Sequence, residues 1–209
     1  MSETVLIDYG AGNLHSVHKA LLAAGLDARV SADPAAARDA RALILPGQGH
    51  FGQVMRSFRA SGFEEAVRQH LQARRPFLGI CVGLQLLMDG SDEAPGEPGL
   101  GLLPGRVKRF PAGVRVPQMG WNRVRKLGDS PLLEGVPDGS HAYFANSYYA
   151  DPDLGGDISG ATTEYGSVRF LSALSHDNLH ATQFHPEKSQ QVGLKVLENF
   201  RRITERPPT

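Results

Sequence analysis

The only cysteine of the chain, Cys81, stands in Gly79-Ile80-Cys81-Val82-Gly83, where a short apolar run gives way to a helical pattern. A lone cysteine has no internal disulfide partner, so its place is explained by packing or by chemistry. Most free cysteines are small buried hydrophobes. The flanking glycines favour the second reading. A nucleophile on a tight strand-to-helix turn needs neighbours without side chains two positions either side, because side chains there would collide with the adjoining strand and helix. Free N–H groups and the helix dipole at such a turn favour a thiolate. The N–H of the next residue, Val82, faces the place where an oxyanion would form.

A cysteine nucleophile needs a base, and the base needs an orienting group. The eight histidines are at 15, 18, 50, 70, 141, 176, 180 and 185. His15, His18 and His70 lie on presumed helices among polar neighbours and read as surface residues. "QFHPEKS" (183–189) offers more, because His185 and Glu187 are two apart, which in an extended segment puts both on one face. Pro186 keeps that stretch extended or turning. Glu187 is then placed to hold the ring of His185 while its other nitrogen faces the thiol. A second glycine turn, "LPGQGHFG" (45–52), follows another apolar run. Gly47 and Gly49, with Gln48 between them, free the backbone to present N–H groups, the other half of an oxyanion hole.

Competing chemistries have weaker support. No Cys-x-x-Cys or His-Glu-x-x-His pattern occurs, and His180 and His185 are five apart with a proline after the second, so no metal and no cofactor are expected. Gly10-Ala11-Gly12 with Asp33 resembles part of a dinucleotide fingerprint, but His15 occupies the third position, where a small residue must let helix and strand pack closely. That stretch reads as a turn.

These residues need elements to hold them. Through the first ninety residues, "TVLID", "ALIL" (42–45) and "PFLGI" read as buried strands. "NLHSVHKALLAAG" carries Leu14, Val17, Leu21 and Leu22 at helical spacing and stops at Gly25. "FEEAVRQHLQAR" has Phe63, Val67 and Leu71 four apart, and "VGLQLLMD" opens a helix. Beyond Gly90, "SDEAPGEPGLGLLPG" reads as a surface loop. Strand candidates follow in "RVKRF", "NRVRK", "AYFA", "RFLSALS" and "LHATQF", then a helix in "SQQVGLKVLENFRRITE" and a frayed tail, "RPPT". The expectation is one α/β domain over residues 1–209. It has a mostly parallel central sheet flanked by helices on both faces and a more antiparallel second half.

Lysine plus arginine equals aspartate plus glutamate at 22 each, which gives no field to draw the chain to nucleic acid or an anionic membrane. No apolar run approaches the roughly 20 residues of a membrane helix. The first residues read as a strand, with no signal peptide. A cytoplasmic protein with a small-molecule or protein partner is expected, and one cysteine is compatible with a reducing compartment.

With these residues assembled, the chain resembles the class I, or triad, glutamine amidotransferases, through "GICVGLQLL" and "QFHPEKS". "IDYGAGNLHSVHKAL", "LPGQGHFG", "PQMGWN" and "TTEYG" are similar to the glutaminase subunits of imidazole glycerol phosphate synthase. The resemblance implies that Cys81 attacks the amide of glutamine, His185 moves the proton and Glu187 orients it. It implies an oxyanion hole at Gly47, Gln48, Gly49 and Val82, and a glutamine pocket lined by Gln85, Asn146, Ser147 and Tyr148. It implies a (β/α)8-barrel cyclase as heterodimer partner, with Asn13, Trp121 and Lys188 at the interface. Trp121, the only tryptophan, reads equally well as a core aromatic. The chain departs from the family's usual wording at Gln48, Val82, Leu84 and Asn146, none of them a triad member. Rival readings are a glutaminase serving another acceptor, a non-catalytic binding protein on the same fold, and a cysteine peptidase. Two glycines around Gln48 let the turn hold its N–H groups in either of two orientations at small cost. An isolated subunit that forms the hole only beside its partner is expected to be slow.

Overall fold

The computed structural model describes residues 3–10, 12–154 and 158–206, so Ala11 of the first glycine turn and residues 207–209 of the expected frayed tail lie outside the described residues. In chain order the elements are β1 (Thr4–Ile7), α1 (Leu14–Ala23), β2 (Ala28–Ser31), α2 (Pro34–Asp39), β3 (Ala42–Leu45), α3 (Phe51–Ala60), α4 (Phe63–Gln72), β4 (Phe77–Ile80) and α5 (Val82–Leu86). There follow β5 (Gly90–Ser91), β6 (Ala94–Pro98), β7 (Gly105–Arg109), β8 (Gln118–Leu127), β9 (Ser140–Asn146), β10 (Tyr148–Pro152), β11 (Ser159–Tyr165), β12 (Val168–His176), β13 (Leu179–Thr182) and α6 (Gln190–Glu205).

Among the described residues the main sheet has nine strands in the order β2-β1-β3-β4-β13-β12-β11-β8-β9. The pairs from β2 through β13 are parallel, and those from β13 to β9 are antiparallel. Burial explains the division. β1, β3 and β4 are buried at every position and carry no polar side chain except Thr4, as parallel strands between two helical layers must. β8 reads QMGWNRVRKL and leaves most of its side chains at least partly exposed. Helices α1 and α6 pack together, while α2, α3, α4 and α5 form a second group. The chain reverses its direction of winding at β1, and right-handed crossovers then place the two groups on opposite faces.

Four expectations need correction. The stretch after Gly90 is more than a surface loop: β5, β6, β7 and β10 form a second, four-stranded sheet in the order β10-β7-β5-β6. Proline and glycine are tolerated there because these strands are short and β6 is an edge. Strands β2, β10 and β11 and helices α2 and α3 join the elements the sequence pattern had suggested. Leu22, expected in the core stripe of α1, is 49% exposed, since Val17 and Leu21 fill the buried face. His70, expected at the surface, is buried one turn beyond Val67, on the stripe of Phe63, Ala66 and Val67, and its Nε2 bonds the Pro76 carbonyl at 3.0 Å. Asp33 caps α2 by accepting from the Ala35 N–H at 2.9 Å, which leaves it no part in a dinucleotide site.

His180 is buried too, with Nδ1 3.0 Å from the Ser175 hydroxyl. Burial pushes both histidines down to about 4 from the ordinary 6.5, with Arg206 adding to the effect at His180. The folded state holds each ring neutral, whereas the unfolded chain protonates it below pH 6.5. Stability is therefore present above pH 6.5 and is lost as pH falls toward 4, by about 3 kcal/mol for each ring. Urea unfolding at pH 7 and pH 4.5 should show that loss, and His70→Gln with His180→Gln should flatten it. Equal pH dependence in the double variant would contradict the assignment.

Candidate active site

The strand order sets where a site can form. The winding reverses between β1 and β3, and in open α/β sheets the crevice outside the carboxyl ends of the strands at such a point receives the ligand. The segments leaving β1, β3, β4 and β13 at that edge are Asp8–Gly10, Pro46–His50, Cys81 and Gln183–Ser189.

Cys81 joins β4 to α5 with φ of 54° and ψ of −108°, a left-handed conformation that no other residue around the turn shares. Its N–H donates to the Thr182 carbonyl at 2.7 Å, tying the turn to the end of β13. The glycines around it are required by space. A Cβ on Gly83 would lie 2.0 Å from the Leu45 carbonyl oxygen, and one on Gly79 would lie 3.0 Å from the Gly83 backbone. A Cβ on Gly47 would meet Val82 and the Gly83 nitrogen at 2.8 Å, so the 46–49 turn presses directly on the start of α5. As the first helical residue, Val82 has an N–H without an acceptor inside α5.

His185 is carried by the segment after β13. Its N–H donates to the Tyr143 carbonyl at 2.9 Å and its carbonyl accepts from the Ser189 hydroxyl at 2.7 Å. Ser189 in turn accepts from the Tyr143 N–H, so the turn is pinned to β9 from both ends. His185 Nδ1 lies 2.8 Å from Glu187 Oε1, and both side chains are almost wholly buried. Burial alone would lower the ring. The charge and hydrogen bond of Cys81, then those of Glu187, outweigh it and raise His185 to about 10. A ring protonated at neutral pH donates from Nδ1 to the carboxylate and from Nε2 toward the sulfur.

Beside the sulfur is a cleft of about 220 Å³, lined by Gln48, Gly49, Cys81, Val82, Gln85, Glu93, Pro117, Ala145, Asn146, Ser147 and Tyr148. It gathers nearly all of the residues expected in the oxyanion hole and pocket. Gly47 is the exception: it is buried against Val82 and Gly83 and supports the turn from behind. Asn146 Nδ2 donates to the Tyr148 carbonyl at 2.9 Å, and its Oδ1 is buried with no partner among the described residues. A larger cavity, about 650 Å³, lies at the amino ends of β3, β4 and β13 among Arg41, Arg74, Asp177 and Glu205, at the opposite end of the strands from the cysteine. Among the described residues, no three His, Cys, Asp or Glu side chains gather closely enough to hold a metal ion.

Three neighbours escaped the reading of the sequence. Glu93 lines the cleft and accepts from the Phe51 N–H at 2.6 Å, bracing the start of α3; it sits in the stretch read as a loop. Tyr9 donates its buried hydroxyl to the Pro46 carbonyl at 2.8 Å, and burial, then the nearby Cys81, push its ionisation well up. Gln183 places Nε2 3.7 Å from Cys81 Sγ. Tyr9 and Gln183 both lie within motifs already singled out, and that was the available signal.

Of the expected interface residues, Trp121 is 47% exposed, which removes it from the core. It stacks edge-on against Tyr143 at 6.1 Å, and Lys188 Nζ lies 5.8 Å above the same Tyr143 ring. Met119, on the same strand, is 68% exposed. Asn13 caps α1 by accepting from the Ser16 N–H at 3.4 Å, and α1 packs on the Pro186–Lys188 turn.

Residues 5–203 match the family described as glutamine amidotransferase class-I. Over 202 residues the chain is 55% identical to the imidazole glycerol phosphate synthase subunit HisH of Deinococcus radiodurans, covering 96% of this chain and 93% of that protein. It is 54% identical to the subunit of the same name from Thermus thermophilus, over 97% of this chain and 98% of the relative. A solved structure described as a glutamine amidotransferase superposes with a TM-score of 0.75 at 21% identity, over 97% of this chain and 99% of its own, and so shares the fold. With the fold, the glycine-bracketed cysteine and a family match across nearly all of its length in agreement, the chain belongs to the class I glutamine amidotransferases.

Proposed function

We propose that this chain is the glutaminase subunit of an imidazole glycerol phosphate synthase, acting as a single domain over residues 1–209. The observation that carries the reading is the buried His185–Glu187 pair facing Cys81 beside the cleft between the 46–49 and 146–148 segments. The high identity to proteins named as that subunit supports it.

The chemistry follows from the groups present. The proton of the Cys81 thiol rests on His185, as the raised ring requires, and the sulfur adds to the side-chain amide carbon of glutamine. The carbonyl oxygen becomes an oxyanion, met by the Val82 N–H and by N–H groups of the Gln48–Gly49 turn. His185 returns the proton to the nitrogen, the C–N bond breaks, and ammonia leaves with the acyl group held as a thioester. Water then adds as His185 takes its proton, the C–S bond breaks, glutamate departs and the sulfur leaves beside the ring that again holds the proton. A single free thiol of this kind survives best in reducing surroundings, in accord with a cytoplasmic setting.

Ammonia is useful only if an acceptor receives it before it escapes. The half-exposed Trp121, Met119 and the Tyr143–Lys188 pair offer an aromatic and cationic docking face next to the His185 turn, suited to the (β/α)8-barrel cyclase of histidine biosynthesis. Gly49 has a φ of +109°, a conformation open to a turn that can swing. Glutamate release by the purified chain is expected to be slow alone. A cyclase with its nucleotide substrate should raise it about a hundredfold or more, the typical value of one oxyanion donor. Trp121→Ala should lose most of that rise and keep the basal rate. Full activity without a partner, or indifference to a cyclase shown to bind, would overturn the pathway assignment.

A further inference from the structure

We propose that the side-chain amide of Gln183 is a further catalytic group of this site, holding the Cys81 sulfur through an N–H bond, and that Gln85 orients it from the Tyr148 carbonyl. The proposal rests on the glutaminase reading above and adds a residue to it.

Gln183 follows β13 and is 0% exposed. Its main-chain N–H donates to the Ser172 carbonyl at 2.9 Å, and its Nε2 lies 3.7 Å from Cys81 Sγ. A buried amide can face a neighbour with either end, and the two ends act oppositely on a sulfur: NH2 favours a thiolate, C=O opposes it. Here the surroundings decide the orientation. The Tyr148 carbonyl can only accept, so the end of Gln85 that meets it, at 3.0 Å, is Nε2. The same amino group has a second proton, which goes to Gln183 Oε1 at 3.1 Å. With Oε1 taken as acceptor, the opposite end of Gln183 facing Cys81 is its NH2. Turning Gln85 would set its oxygen against the Tyr148 carbonyl and Gln183 Oε1, and turning Gln183 would set two amino groups together, each leaving buried polar groups unpaired.

Two buried amides thus carry the polarity of one backbone carbonyl to the reacting sulfur. That carbonyl belongs to the segment that lines the cleft, and it also accepts from Asn146 Nδ2. With the thiol proton on His185, the charge on sulfur meets the Gln183 N–H as well as the imidazolium. When the sulfur is acylated it loses that charge, and the bond weakens. The interaction therefore favours the attacking thiolate and, on hydrolysis, the departing one. Gln85, which lines the cleft, acts in this arrangement also as a positioning residue.

The titratable groups facing Cys81 are His185 with Glu187 behind it, Tyr9 from the end of β1, and Glu93 across the cleft. None of them is altered in the test. Because Cys81 is the only cysteine, its alkylation by iodoacetamide reports on this sulfur alone. The alkylation rate of the full chain is measured against pH for wild type, Gln183→Met, Gln183→Glu and Gln85→Met, with thermal unfolding to confirm the fold. Glutamate release is measured beside it.

Both changes at Gln183 should move the alkylation profile about one pH unit or more upward, as expected for a lost hydrogen bond to a charged group. They should also lower kcat about tenfold or more with little change in KM. Gln183→Glu should move it further, since it replaces the donor by an acceptor while keeping the oxygen that serves Gln85. Gln85→Met should give a smaller shift in the same direction. If Gln183→Met fails to fold, Gln183→Glu and Gln85→Met decide. Unchanged profiles in folded variants would overturn the proposal. A shifted profile in a protein that hydrolyses no glutamine would uphold the hold on the sulfur and defeat the glutaminase reading instead.

Discussion

Replacing Cys81 with alanine is expected to lower glutamate release from glutamine by at least about four orders of magnitude, the scale on which triad enzymes lose their nucleophile. Three features of the structure require so large an effect. The sulfur stands alone at the floor of the cleft, with no serine, threonine or second cysteine beside it among the lining residues except Ser147 in the opposite wall. His185 is held as a charged partner by that sulfur and by Glu187, so without the sulfur it has no nucleophile beside it to serve. The oxyanion groups at Val82 and Gly49 remain, and they give the small residual rate. The fold should survive, since the substitution removes one buried sulfur and Cys81 N–H still bonds Thr182. The check is glutamate release with and without a cyclase, beside thermal unfolding. A well-folded Cys81→Ala protein retaining more than about one per cent of the rate would mean that the chemistry lies elsewhere.

Replacing Gly83 with alanine is expected to be at least as damaging for a different reason. The new Cβ would sit 2.0 Å from the carbonyl oxygen of Leu45, a backbone atom in the middle of the sheet. No side-chain rotation relieves such a contact, so α5 or the end of β3 must move. Overpacking of this kind commonly costs 1–3 kcal/mol, and a clash with backbone should exceed about 4 kcal/mol. Movement of β3 would also carry away the 46–49 turn, so activity should fall even where some folded protein remains. Gly96→Ala is the control: its Cβ would meet nothing within 4 Å, and stability should change by less than about 0.5 kcal/mol. Chemical denaturation of both variants tests the contrast. A Gly83→Ala protein as stable as wild type would show that the elbow is looser than its geometry implies.

These two residues also show why so much of the site was readable in advance. Cys81 and its glycines, like His185 and Glu187, are constrained by the chain within a few residues of themselves. A strained turn forbids a Cβ at neighbouring positions, and an extended pair with a proline between them faces one way. Such demands leave marks in the local sequence. The same holds for β1, β3 and β4, whose continuous apolar runs follow from burial on both faces. His70 was misread because polar neighbours were weighed above its place on the Phe63–Val67 stripe. The strands of the second sheet were missed because proline and glycine hide the pairing of short edges.

By itself the sequence determined the strained turn at Cys81, the pairing of His185 with Glu187, the two glycine turns and the class of fold, since each is imposed by short-range sterics or by periodic burial. Only the tertiary structure decided that Gln183 faces the sulfur with its amino group, that Tyr9 props the Pro46 turn, and that Trp121 lies in the open beside Tyr143 and Lys188. Those facts depend on β4 lying beside β13 and on the middle of β9 lying against the His185 turn. Such pairings join residues far apart along the chain, and a hydrogen bond across them places no requirement on the residues next in sequence.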